Sequence, residues 1–171
     1  MINLPEDSIE RCEALIDASK VRRWHAQPEI PIQTTGVHSF NMLLCLIALH
    51  PNPSANLMQA VIRHDLAERI CSDFPHHMKK RFPVLKEIDE QMQAEFDDEL
   101  NLAKIELTLE EGIWLKLLDQ LEVLLYVQQE VLDPTTASWE IYENCANICN
   151  SYISQLQTFG YLLEYVTDTI Q

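Results

Sequence analysis

The residues best suited to chemistry in this chain are imidazoles and carboxylates at a few short intervals. His64 and Asp65 are adjacent, and Glu68 follows four residues after the first and three after the second. On a helix that spacing turns Glu68 onto the same face as the pair, one turn on. His38 stands just after Gly36, at the start of a helical pattern, and Asp73 falls in a stretch marked by Pro75 and Pro83. Asp119 lies in an apolar run whose neighbours one turn away, Leu115 and Val123, are both hydrophobic. A carboxylate so placed must be paired, protonated or bound to a metal. Taken singly, each has an ordinary reading: a surface His-Asp pair, a hydrogen-bonded helix-start histidine, a half-exposed aspartate.

The distribution of cations is also informative. The chain has 171 residues, 27 of them acidic and 12 Lys or Arg, for a formal charge of −15. Such a protein repels phosphates unless it concentrates its cations locally. Five of the 12 fall in two clusters, Arg22-Arg23 and Lys79-Lys80-Arg81, both close to the residues above. Trp24, beside the first cluster, reads either as a wall for a bound ring or as a core aromatic. The acidity argues against a nucleic-acid polymer as partner, since duplex binding needs a basic stripe. No run approaches the ~18 apolar residues of a membrane span. The opening MINLPEDSIE lacks the basic and apolar regions of an export signal, so no membrane association and a cytoplasmic location are expected. The cysteines (12, 45, 71, 145, 149) are odd in number, form no CxxC and read as reduced, mostly buried thiols. Cys145 and Cys149 share a helical face, but no nearby His or third Cys completes a metal site.

The elements that must position these groups are helical. With 47 % hydrophobic and 23 % charged residues, the composition is that of a soluble globular domain, and the length suits one domain over 1–171. Only three glycines occur, and no β-type alternation runs longer than a few residues. The periodicity predicts an all-α bundle of about six helices. The first runs over about 7–21 and is broken by Pro28 and Pro31. The second follows Gly36 and stops before Pro51; Ser54 caps the third, which carries His64-Asp65 near its end. Residues 71–83 read as a loop with room for one turn, and a charged helix covers about 84–102. Thr108 and Glu111 form a capping box that opens an apolar helix to about 131. The last helix, about 136–169, carries an apolar stripe from Ile141 through Cys145, Ile148, Tyr152, Leu156, Phe159 and Leu163 to Val166. That stripe is read as core packing or, alternatively, a subunit interface of a homo-oligomer.

Read together, His38, His64-Asp65 and Asp119 spell H…HD…D, and the chain resembles the HD-domain phosphohydrolases, an all-helical family. Arg23-Trp24, His38-Ser39, His64-Asp65-x-x-Glu68, Asp73-Phe74-Pro75, Lys79 and Lys116-x-x-Asp119 follow the order and mostly the spacing of YfbR-like 5′-deoxynucleotidases. The phage dATP triphosphohydrolases of the DatZ type, similarly short, share that architecture. The likeness spans about 21–126. Val37 and Ser72 depart from it, standing where Glu and Gly are common.

The resemblance implies His38, His64, Asp65 and Asp119 as ligands of a divalent metal. This mixed N/O set suits Co, Mn, Zn, Fe or Mg. It implies Glu68 and Asp73 as catalytic residues, moving a proton or orienting water, and a deoxynucleotide substrate with Arg23 at the phosphate; the cation clusters add Lys79, Lys80 and Arg22 as candidate substrate contacts, and Trp24 a candidate wall for the sugar and base. The expected activity is hydrolysis between the α-phosphorus and O5′, of dATP to deoxyadenosine and triphosphate. The alternative is a nucleotidase acting on dNMPs, and a third reading is a silent nucleotide-binding or interaction module. A phage-encoded protein would act in the host cytoplasm.

Overall fold

The computed structural model describes residues 7–72, 74, 76–130, 133 and 137–166. Among these are eight helices and one two-stranded ribbon: α1 (Ser8–Ala18), β1 (Arg22–Arg23), β2 (Gln33–Thr34), α2 (Thr35–Leu49), α3 (Ala55–Arg63), α4 (Glu68–Cys71), α5 (His76–Arg81), α6 (Val84–Glu99), α7 (Leu109–Glu130) and α8 (Ala137–Gln157). Six of the helices have nine residues or more, so the architecture is the all-α bundle the periodicity predicts. No described helix is long and apolar enough to cross a membrane.

The centre of the bundle is α7. Its Ile113, Trp114, Leu117 and Leu118 meet Met42 and Leu46 of α2, Leu57 and Val61 of α3, and Cys149, Ile153 and Leu156 of α8. Further along, Val123, Leu124 and Val127 pack on Tyr142, Cys145 and Ala146 of α8. Truncating a fully buried side chain such as Trp114 to Ala would cost about 3–5 kcal/mol. A smaller cluster ties Ala18 of α1 to Leu66, Ala67, Phe96 and Leu100.

The helix starts follow local chemistry. Ser54 Oγ accepts from the Leu57 N–H, and Thr34 caps α2 by accepting from Val37 N–H. Thr108 and Glu111 exchange both capping-box bonds, at 2.8 and 3.2 Å.

Three elements differ from the sequence expectation. The third helix stops at Arg63, and residues 64–67 continue as i→i+3 turns before α4. The 71–83 stretch contains α5 as well as the end of α4. The C-terminal helix ends at Gln157 rather than near 169. There Gly160, at φ +93°, takes the left-handed conformation that terminates helices, and Tyr161 N–H bonds back to Leu156 O. Along α8, Cys145, Cys149, Ile153 and Leu156 face the core, whereas Phe159, beyond its end, is exposed.

Candidate metal centre

Two short-range devices bring the centre together. In the ribbon, Arg23 lies opposite Gln33 and Arg22 opposite Thr34. Side chains alternate across a strand, so buried Arg23 and Gln33 turn inward while Arg22 faces solvent. At the start of α2, Gly36 N–H donates to Ser19 O, and a Cβ on Gly36 would meet Ser19 Cβ at 2.8 Å. Only glycine permits this approach, which fixes where α2 begins and hence where His38 points.

His38 is fully buried. Its Nδ1 lies 2.6 Å from Glu122 Oε2, and a carboxylate can only accept, so Nδ1 carries the proton. His64 Nδ1 likewise donates to Val61 O at 2.9 Å. Both rings, when neutral, therefore present bare Nε2 lone pairs. One ring nitrogen of each histidine and one Asp65 carboxylate oxygen lie within 4.8 Å of one another, and neither Nε2 has a hydrogen-bond partner among the described residues. Asp119 joins from one side, its Oδ1 3.3 Å from His38 Nε2, while Asp65 Oδ2 is 3.2 Å from His64 Nε2. A lone pair facing a carboxylate at such distances needs a proton or a cation between them. The residues thus suit a divalent ion bound by mixed nitrogen and oxygen donors.

No family model matches the sequence, and no curated protein matches it. A solved structure does: the cyanophage S-2L HD phosphohydrolase DatZ, bound to dA and one catalytic Zn²⁺ ion. Identity is 21 %, over 95 % of this chain and 90 % of that one, with a TM-score of 0.61.

The chain has the fold of that HD phosphohydrolase.

Within this HD fold the turns at 64–67 matter. In an i→i+3 stretch side chains three apart eclipse, which lines Asp65 up with Glu68 across the Glu68 N–H to Asp65 O bond. Glu68 is buried and lines a cavity of about 40 Å³ with His64, Asp65, Lys79, Asp89 and Gln93. Lys79 donates to Asp89 at 2.7 Å. Burial disfavours its charge, but Asp89 outweighs that and raises its pKa. Arg23 Nη1 reaches Asp65 Oδ2 at 2.5 Å. Next to it, Trp24 holds φ +66° and stacks nearly parallel to Tyr126, ring centres 6.4 Å apart. A non-glycine residue there costs roughly 1–3 kcal/mol, a strain typical of functional sites.

The electrostatics oppose burial. Burial alone would raise Asp65 and Asp119. Instead His64 and Arg23 hold Asp65 well below its ordinary value, and His38 holds Asp119 low. Burial and Arg23 work against a charged His38, yet Asp119 and Glu122 raise its pKa. The cluster draws positive charge inward.

The sequence reading missed Glu122. It is buried and accepts from Gln33 at 2.6 Å, Asn41 at 2.9 Å and His38. The available signal was its place three residues after Asp119, on the same face of α7. Of the expected site residues, the structure brings His38, His64, Asp65, Asp119, Glu68 and Arg23 together, Lys79 lines the same small cavity as Glu68, and Trp24 follows Arg23 in the chain and stacks on Tyr126. Arg22, expected at the substrate, is exposed on the far face of the ribbon, because its neighbour Arg23 takes the inward position. Asp73 and the side chain of Lys80 lie outside the described residues. Ser72, where the resembled enzymes carry Gly, has φ +66° and ψ 168°, a region nearly reserved for glycine.

Proposed function

We propose that this chain is a metal-dependent deoxynucleotide phosphohydrolase that adds water across the α-phosphorus–O5′ bond, converting dATP to deoxyadenosine and triphosphate. The observation that carries this reading is the convergence of His38, His64 and Asp65 around one small region, with Asp119 beside it, in an HD fold whose solved relative holds dA and a catalytic Zn²⁺.

His38, His64, Asp65 and Asp119 would hold the divalent ion, whether Co, Mn, Zn, Fe or Mg. Such an ion polarises a phosphoryl oxygen and lowers the pKa of bound water. The protein supplies the rest. Arg23, aligned by Asp65, presents a guanidinium to the phosphoryl oxygens. Glu68, buried beside the ligands, handles the proton, taking it from the attacking water or giving it to O5′; Asp73 is the second candidate for that task. Trp24 and Tyr126 form a flat aromatic boundary suited to a sugar or base. Lys79, which lines the same small cavity as Glu68, would meet the outer phosphates, with Lys80 the further candidate from the sequence.

A second reading, a 5′-deoxynucleotidase acting on dNMPs, draws support from Lys79. Its ammonium is held by Asp89, and a cation so engaged offers less to β- and γ-phosphates. Incubating the purified protein with Mn²⁺ or Co²⁺ and either dATP or dAMP, then resolving the products, decides between them. Deoxyadenosine with intact triphosphate supports the first reading. Turnover of dAMP alone establishes the second, and metal binding without turnover of any nucleotide leaves only a silent binding module.

A further inference from the structure

Two cations stand beside the candidate centre, and their counter-charges differ in kind. Arg23 pairs with Asp65 at 2.5 Å, and Asp65 belongs to the group placed to hold a metal. A divalent ion there would take up the charge of that carboxylate. Lys79 pairs instead with Asp89 at 2.7 Å, and Asp89 lies outside the ligand set. Its charge stays on Lys79 whatever the centre holds.

The surroundings set this ion pair apart from a surface contact. Lys79 reaches from α5 to Asp89 on α6, and the two side chains are 32 % and 26 % exposed. Lys86–Glu90, also on α6, is 71 % and 70 % exposed at 3.9 Å, and pairs of that kind contribute little. Lys79 and Asp89 line the same small cavity as His64, Asp65 and Glu68. Asp89 acts most strongly on the ammonium, with Glu68 and Asp65 adding to its pull. Of the neighbouring cations, Arg81 lies over the ring of Phe82.

We infer that Asp89 is a positioning residue that sets substrate specificity: it holds Lys79 and cancels its charge, so that a nucleoside triphosphate gains little there over a monophosphate. An ammonium with a carboxylate 2.7 Å away presents a dipole rather than a net charge to a polyanion. The chain's −15 adds repulsion that only a local, uncancelled cation could offset. The inference rests on the reading of this chain as a deoxynucleotide phosphohydrolase and holds for either of its two substrates.

Asp89→Asn keeps the shape and an acceptor oxygen but removes the charge, whereas Asp89→Glu keeps the charge. With Mn²⁺ in excess, dATP and dAMP are compared by KM where the nucleotide turns over and by inhibition constant where it does not. Asp89→Asn should tighten dATP about 3–5-fold and dAMP much less, and Asp89→Glu should follow the wild type. In a Lys79→Ala background Asp89→Asn should change nothing, because its effect passes through the ammonium. Inorganic triphosphate should also raise the melting temperature of Asp89→Asn more than that of the wild type, a readout independent of turnover. No tighter binding of dATP, an equal gain for dAMP, an Asp89→Glu protein that behaves like Asp89→Asn, a gain that survives Lys79→Ala, or an equal rise in melting temperature would each overturn the inference and leave the hydrolase reading standing. A wild type that neither turns over nor binds either nucleotide would overturn both.

Discussion

His38 Nδ1 and Glu122 Oε2 lie 2.6 Å apart, although 84 residues separate them in the chain. Through this bond α7 sets the tautomer of an imidazole on α2 and turns its Nε2 toward Asp65, His64 and Asp119. Glu122 is fixed in turn by Gln33 and Asn41. Carboxylates placed behind metal-binding imidazoles raise ligand affinity by orienting the ring. Glu122→Gln should therefore weaken divalent-ion binding about 10–100-fold with the helical content intact. Calorimetric titration of the ion-free variant reads this directly; an unaltered dissociation constant would make Glu122 structural only.

Glu68 makes a contrasting case. It is buried beside the ligands but is not part of the His38, His64, Asp65 group. Glu68→Ala should retain the metal while turnover falls by on the order of 10²–10⁴. Metal lost along with activity would instead make Glu68 a ligand.

Ser72 is conformationally expensive. Its φ of +66° and ψ of 168° belong to a region that only glycine enters readily. Ser72→Gly should raise stability by about 1 kcal/mol, read as a higher denaturation midpoint at unchanged slope. A lower midpoint would show that the Ser72 side chain contributes more than its backbone costs.

His50 supplies a pH dependence away from the metal centre. Its Nδ1 accepts from Asn52 N–H, and its Nε2 meets Tyr161 Oη, which donates to Glu110. Burial lowers its pKa below 6.5, against the pull of Glu110 and Glu111. The unfolded chain therefore binds this proton at higher pH than the folded one, so stability falls as pH drops below about 6.5. Relative to His50→Gln, the wild type should lose melting temperature more steeply between pH 7.5 and 5.5. Parallel curves would remove His50 from the titration.

Much of this organisation was legible in the sequence. Ser54 and the Thr108/Glu111 box announced their helices because caps are local, and the H…HD…D order marked residues that the fold does bring together. Glu122 was legible only through its spacing from Asp119, since a glutamate in a helical run looks solvated until a ribbon and a second helix close over it. The stop at Gln157 was masked for a different reason: apolar residues continue past Gly160, and Tyr161, Leu163 and Val166 pack back on the core without helix. Nor did proline or glycine mark the break after Arg63, which rests on i→i+3 bonding alone.

The central claim is that His38, His64, Asp65 and Asp119 hold one divalent cation. Equilibrium dialysis of ion-free protein against Co²⁺, with Asp65→Ala alongside, measures it most directly. The wild type should retain about one ion per chain and the variant almost none. A wild type that retains no ion, or an Asp65→Ala protein that binds as well as the wild type, would contradict the account.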